Sequence, residues 1–450
     1  MSQDTLSTHQ KALAVNLDDK VYGTLAEIGA AQEVARWFFR VGAAAGSIAK
    51  TISAYDKQIS DDIYGEAGRY VSRERLESML TREYDLLLRR LSASRGHDTR
   101  FFAFCNTVSA RNFAGTNECQ GWVGLRYQSA VGGKPNTIVL HINMLDDSSV
   151  AQQEVVGILG VNLIYGAFFQ ADGSGETLSK LVENTGSGRL EADLIDATGP
   201  AFSHLDSVAT GMAIVQSGLA KAVLLDRTGR QHPPTEILHK KPTVLKRTSL
   251  RYLSPINSAS LEQGAARLLS EDHKQQKSPL LVTEFSINNV HAGENTGPEQ
   301  VLAHLRQLLT TSDWVMLTDL AQNFMLTSYI RRYSRQPVRY VVGISTLVML
   351  FSDQFYENSV SSMLEATGKL YSEDARVYVL PMSRVDFQSH TDSVGIAPDW
   401  FTVAGDQGPV SLGRLSFSGP LQKLFEYLLE SGWIQELQEE QADSVSSPIF

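Results

Sequence analysis

Apolar positions recur at three- and four-residue steps in AEIGAAQEVARWFFRVGAAAGSIAKTISAYD and again in RERLESMLTREYDLLLRRL, the period of helices that bury one face. This pattern predicts a helical region over residues 24–99, with Ser72 as a cap and Gly96 ending the run. From Arg100 the period shortens. RFFAFCNTVSA, GWVGLRYQ and NTIVLHINML, separated by GTNECQ and AVGGKPN, predict three strands joined by turns, hence an antiparallel meander. An apolar helix, SVAQQEVVGILGVNLIYGAFF, follows, then the strand-like RLEADLIDATGPAF, a helix from Ser207, the strand KAVLLD and the extended KKPTVLKRT. Residues 100–275 therefore read as an α+β domain.

The segment EDHKQQKSP carries charge, lacks apolar residues and ends at Pro279, which predicts a domain boundary between 275 and 276. Beyond it, LLVTEFSI, WVMLTD, VRYVVGI and RVYVLPM alternate with helical PEQVLAHLRQLL, NFMLTSYIRRY and a helix over 346–371. Strict alternation of this kind predicts a doubly wound parallel sheet over residues 276–419. A C-terminal helix over 420–437 follows, with a polar segment at 1–23 and a mobile tail at 438–450 completing the chain. The expected fold class is mixed α/β: N-terminal helices, an α+β domain, then a doubly wound domain.

Composition narrows the function classes. Forty basic against fifty acidic residues give a net charge of -10, which opposes non-specific binding to nucleic acid. Met1 to Lys20 lacks the basic start and apolar stretch of an export signal, and the only cysteines are Cys105 and Cys119. A cytoplasmic location is expected. The longest apolar region, Ala26 to Ala49, contains Glu27, Glu33, Arg36 and Arg40, each costing about 2.5 to 3.5 kcal/mol at mid-membrane. No membrane partner is expected.

Candidate chemistry is sparse. Parallel sheets bind ligands beyond the carboxyl ends of their strands, which singles out Asn288, Asn289, Asp319, Ser345, Thr346 and Ser383. No G-x-G-x-x-G or G-x-x-x-x-G-K-[ST] cradle accompanies them. In GPAFSHLD, His204 is a candidate base with Asp206 as its orienting group, and Lys240, Lys241, Lys246, Arg247 and Arg251 are candidate anion holders. The bland alternative makes Asp206 a helix cap and the lysines solvated. No histidine spacing prescribes a metal site, and no cofactor is indicated. Gly42 and Gly46, four apart beside Trp37 and Phe38, permit close backbone approach, either inside one chain or between copies in a homo-oligomer.

The run Glu27 to Phe39, with SAYD, DDIYG, RYVSRERLESML, GVNLIYGA, GPAFSHLD and KKP, resembles a bacterial family of uncharacterised proteins. Its members bear automatic labels such as "TonB-dependent receptor" or "nicotinamide mononucleotide adenylyltransferase". A receptor of the first kind needs an export signal and a large barrel of alternating strands, which this sequence does not offer. The second kind needs an arginine three residues after the threonine of an I-S-S-T element, where Gly343-Ile344-Ser345-Thr346 is followed by Met349.

Two function classes remain. The leading expectation is a self-associating or scaffold protein built on Trp37, Phe38, Gly42 and Gly46. The alternative is an enzyme or sensor binding a nucleotide-like or phosphorylated small anion, through His204, Asp206, Lys240 and Lys241 or through Asp319, Ser345 and Thr346. Whether the chain is an enzyme is left open by the sequence.

Overall fold

The computed structural model describes residues 5–30, 32–170, 180–248, 258–271, 277–287, 297–356, 362–396 and 399–437. Arg251, Asn288, Asn289 and the tail 438–450 lie outside the described residues. The chain is mixed α/β and divides into two units, Met1–Leu224 with Arg230–Pro233 and Leu225–Gly229 with Pro234–Phe450.

The first unit contains α1 (Thr8–Leu17), β1 (Val21–Gly29), α2 (Glu33–Val41), β2 (Ile48–Ala54), α3 (Lys57–Tyr64) and α4 (Arg73–Arg95). It continues through β3 (Arg100–Ser109), β4 (Gln120–Tyr127), β5 (Asn136–Met144), α5 (Ser149–Phe169), β6 (Leu190–Thr198) and α6 (Ser207–Gln216). Its sheet runs β2-β1-β3-β4-β5-β6. Strand β1 pairs in parallel with β2 and β3, whereas β3 to β6 form an antiparallel meander.

The region expected to be helical over 24–99 therefore holds two strands. Every residue of β1 except Tyr22 is buried, so both faces are covered and the alternation that marks a half-exposed strand is missing. Glycine then separates strand from helix: Gly29 has φ +82°, and a Cβ there would lie 2.3 Å from the Val108 carbonyl oxygen. Gly42, at φ +87°, stops α2 after Val41.

Helix α4 packs Leu76, Met79 and Leu80 on Ala26, Cys105 and Trp122 of the sheet. Burial pushes the Cys105 thiol up, in keeping with its place in this core. Helix α5 packs against α2 so closely that a Cβ at Gly157 would lie 2.6 Å from Glu33 Cβ, and one at Gly160 2.3 Å from Val34 Cγ2. The close helix approach in this unit is thus made by Gly157 and Gly160. Gly42 and Gly46 do not form a helical stripe, because the chain has left α2 before either is reached.

The remaining elements are β7 (Ala222–Asp226), β8 (Gln231–His232), α7 (Pro234–Ile237), β9 (Thr243–Thr248), α8 (Ser258–Glu271), β10 (Leu280–Ser286), α9 (Pro298–Thr311) and β11 (Trp314–Thr318). After these come α10 (Asn323–Ile330), β12 (Val338–Gly343), α11 (Ile344–Leu350), α12 (Met363–Leu370), β13 (Ala375–Leu380) and α13 (Arg384–Ser393). The hairpin β14 (Phe401–Val403) and β15 (Leu415–Phe417), then α14 (Pro420–Glu430) and β16 (Ile434–Glu436), end the described chain. The second sheet runs β16-β13-β12-β9-β10-β11-β7-β8. Strands β9 to β13 and β16 are parallel. Counted from β9 and read from the β11 side, their order is third, second, first, fourth, fifth, sixth, the arrangement of doubly wound nucleotide-binding sheets.

Three sequence expectations change here. The division between units falls at 225–233 instead of 275/276, because β9 and β10 are adjacent parallel strands and α8 is the crossover between them. Of the charged EDHKQQKSP stretch, Glu271 ends α8 and residues 272–276 lie outside the described residues. The helix expected over 346–371 is broken into α11 and α12. The expected C-terminal helix stops at Glu430; Gly432, at φ +72°, turns the chain into β16, the sixth parallel strand. Among the described residues no helix is long and apolar enough to cross a membrane.

Candidate functional site

In the first sheet β2 and β3 lie on opposite sides of β1, so the direction of chain growth reverses at the carboxyl ends of β1 and β3. Such a switch point leaves a crevice, because the loops on its two sides turn to opposite faces. Glu27, near the end of β1, is buried there, with 3% exposure. Helix α2 begins without a side-chain cap from Gln32, and Glu27 supplies the missing acceptors. Its Oε1 accepts from Val34 N at 3.2 Å and its Oε2 from Ala35 N at 3.0 Å. Asn106 Nδ2 on β3 donates to Oε1 at 3.1 Å.

Burial raises the Glu27 carboxyl from 4.5 to about 7; the three hydrogen bonds pull it down in part and Glu33 adds a small rise. A carboxyl that titrates near neutrality at a switch point is equipped for proton transfer. The neighbouring Asn106 Oδ1 is buried and meets no hydrogen-bond partner among the described residues. This corner therefore presents acceptor oxygens, and the positive end of α2 is already engaged by a carboxylate. It is not a phosphate cradle.

A second buried polar cluster lies on the α4 side of this sheet. His141 Nδ1 is 2.6 Å from Asp193 Oδ1, His141 Nε2 is 3.0 Å from Gln120 Oε1, and Asn143 Nδ2 donates to Asp193 Oδ2 at 2.6 Å. Both His141 and Asp193 are fully buried. A bulge where β6 passes His141 brings them together, since one extra residue turns a side chain to the other face. With both ring nitrogens and both carboxylate oxygens engaged, the pair is a satisfied internal network and serves packing.

The second sheet has its own switch point, between β9 and β12. At the carboxyl end of β9, Arg247 donates from Nε to Glu284 Oε2 at 2.6 Å and from Nη2 to Glu284 Oε1 at 3.1 Å. Its remaining bonds reach the carbonyls of Ala321 and Leu320 at 2.7 and 2.8 Å. Thr318 Oγ1 donates to the fully buried Glu284 at 2.5 Å. The network ties the ends of β9, β10 and β11 to the loop after β11. Lys246 Nζ, on the other face of β9, donates to Ser260 Oγ at 2.8 Å. Ser286 Oγ, at the end of β10, is buried and meets no hydrogen-bond partner among the described residues.

Sequence-predicted residues are dispersed by this architecture. Asp319 follows β11, and Ser345 and Thr346 open α11 after β12, so these three share the carboxyl edge of the second sheet. Ser345 is buried and its hydroxyl points to Met382 Sδ at 3.8 Å. Lys240 and Lys241 precede β9 at its amino end, the opposite edge, with Lys240 exposed at φ +52°. His204 is exposed in the first unit. Asp206 accepts from Ala209 N at 2.8 Å and caps α6, the bland alternative for this residue. Phe38 is wholly buried and Trp37 half-buried within the first unit, where α2 packs on α5. Gly42 and Gly46 are exposed but lie beyond the end of α2 and so do not continue its face as a helical stripe; the Gly42 carbonyl accepts from Asn16 Nδ2 at 2.6 Å.

Glu27 and Glu284 are residues that sequence reading passed over, the first as an interruption of an apolar run and the second as one charge inside the strand LLVTEFSI. A charge inside such a run was the available signal. Arg247, expected to hold an anion, does hold one, but it is the chain's own Glu284. Among the described residues no cluster of three or more metal-binding side chains occurs.

No family model and no curated protein matches this chain. Solved structures similar in part include the competence/damage inducible protein CihA from Agrobacterium tumefaciens, 15% identical over 37% of this chain and 99% of that one, with a TM-score of 0.27. A CinA superfamily protein from Klebsiella pneumoniae is 12% identical over 36% of this chain and 96% of that one, also at 0.27. One from Escherichia coli is 16% identical over 37% and 91%, at 0.26. At such scores the reading of this chain rests on its own topology and residues.

Proposed function

We propose that this chain binds a phosphorylated or nucleotide-like small molecule at the carboxyl edge of the second sheet, in the crevice between β9 and β12. The strand order of β9 to β13 and β16 carries the reading, because that order opens a crevice at this point. Lys246 stands near the end of β9 beside it, Arg247 is held by Glu284 and the carbonyls of Leu320 and Ala321, and Arg251 follows in sequence. The sequence lacks the glycine-rich cradle of dinucleotide sites, so the ligand class is a single phosphate or mononucleotide held by side chains.

Calorimetric titration of the full chain with a panel of nucleotides and phosphorylated metabolites tests this. A ligand bound by wild type and weakened about tenfold or more by Lys246→Ala, but unaffected by Lys240→Ala at the opposite edge, supports the reading. Silence across the panel, or equal loss in both variants, sinks it.

A second reading concerns chemistry: Glu27, raised toward neutrality at the first switch point, is the chain's best acid–base candidate and favours an enzyme. The cytoplasmic location belongs to the same proposal and cell fractionation tests it. Self-association by another surface is tested by sedimentation over a range of concentrations.

A further inference from the structure

The segment after β13 builds a cavity that neither switch point uses. Helix α13 forms one wall. The other is β14 together with Val410, which is tied to the end of β13 by reciprocal backbone bonds with Met382 at 3.1 and 2.8 Å. The cavity measures about 620 Å³, inside the range of roughly 300 to 1,000 Å³ typical of small-molecule sites. Phe387, Ile396, Phe401, Val403 and Val410 give it apolar walls. Val385, on the first turn of α13, stands 79% exposed beside them.

Among the described residues that line it, only Arg384 is charged, and none is acidic. Its Nη2 donates to the carbonyls of Ala404, at 2.9 Å, and Gly405, which fixes the guanidinium against the loop after β14. Its Nε is shielded from water and meets no acceptor among the described residues. The carboxylate two residues along the helix, Asp386, is engaged by Ser383, whose hydroxyl donates to it at 2.6 Å. Arg384 thus brings a positioned cation to a partly apolar cavity, and among the described residues no carboxylate is bound to it. A planar guanidinium fork is suited to a carboxylate. One cation in a cavity otherwise lined by apolar side chains and the neutral Gln388, Ser389, Thr391 and Thr402 does not suit a polyphosphate.

We propose that this cavity is a second ligand site, separate from the phosphate site at β9 and β12, for a small aromatic or aliphatic carboxylate whose apolar body lies between α13 and β14 and whose charge faces Arg384. The probe is 2-naphthoate, titrated into the full chain by calorimetry, with neutral 2-naphthalenemethanol as control. Expected are one-to-one binding of naphthoate, loss of about tenfold or more in Arg384→Gln, and abolition in Val403→Trp, which fills the cavity. Lys246→Ala should leave naphthoate binding intact, so failure of the phosphate reading and failure of this one are told apart. Melting temperature and far-ultraviolet circular dichroism check that both cavity variants fold. If the alcohol binds as tightly as the acid, or folded Arg384→Gln and Val403→Trp both bind like wild type, or naphthoate does not bind at millimolar concentration, the proposal is overturned.

Discussion

The two sheets of this chain each reverse their growth at a carboxyl edge, and they furnish that edge with different groups. In the first, Glu27 lies under the start of α2 and satisfies it from within. In the second, Lys246 and Arg247 end the central strand, and the carboxylate nearby, Glu284, is consumed by Arg247 and Thr318. The same topology therefore yields a carboxyl engaged by backbone N–H groups in one unit and an arginine–carboxylate pair in the other. Strand order decides where a crevice forms; the side chains at the strand ends decide what it can hold.

The comparison is broken most severely by removing Arg247. Glu284 is wholly buried, and deleting one partner of a buried pair leaves an uncompensated charge costing about 3 to 5 kcal/mol. Arg247→Ala should lower the unfolding free energy, measured by urea titration, by that much. The double variant Arg247→Met with Glu284→Leu should recover most of the loss, because it removes both charges and keeps the volume. An Arg247→Ala variant as stable as wild type would mean that the network does not hold this edge together.

Glu27 gives the next largest effect, with a definite sign. Its folded value, about 7, lies above its ordinary 4.5, so the fold favours the protonated form. That contribution is fully present below pH 4.5 and is lost as pH rises through about 7, amounting to about 3 kcal/mol at about 1.36 kcal/mol per pH unit. Glu27→Gln cannot titrate, so the gap between wild type and variant should shift in the variant's favour between pH 4.5 and 7. Parallel stability curves across that window would place the carboxyl in an ordinary environment.

The smallest effect sharpens the contrast between a site and a cap. Asp206→Ala should cost about 1 kcal/mol through loss of the α6 cap and leave phosphorylated-ligand binding unchanged. Weakened ligand binding with unaltered stability would restore Asp206 as a functional residue.

Much of the fold was legible before any coordinates. The parallel strands β10 to β13 announced themselves as short apolar runs separated by helices, and the β3-β4-β5 meander by its turn residues. Strands β1 and β2 were read as helix because the buried β1 carries no alternation, and its small and apolar residues also satisfy a helical period. Asp206 was expected either to orient His204 or to cap a helix, and it caps α6. Glu27 went unrecognised because a charge in an apolar run is ordinarily a point where the run meets water. Here it meets the bare N–H groups of a helix that has no cap of its own.

Sequence by itself determined the fold class, most strand positions of both sheets and the want of a phosphate-binding glycine motif, since these depend on local period and composition. Only tertiary structure decided the strand order, the division at 225–233, the placement of Gly42 and Gly46 beyond the end of α2, and the pairs Glu27–Asn106, Arg247–Glu284 and His141–Asp193. Those pairs join residues 37 to 79 positions apart. Their meeting is fixed by which strands lie side by side and by one bulge, neither of which leaves a local mark on the chain.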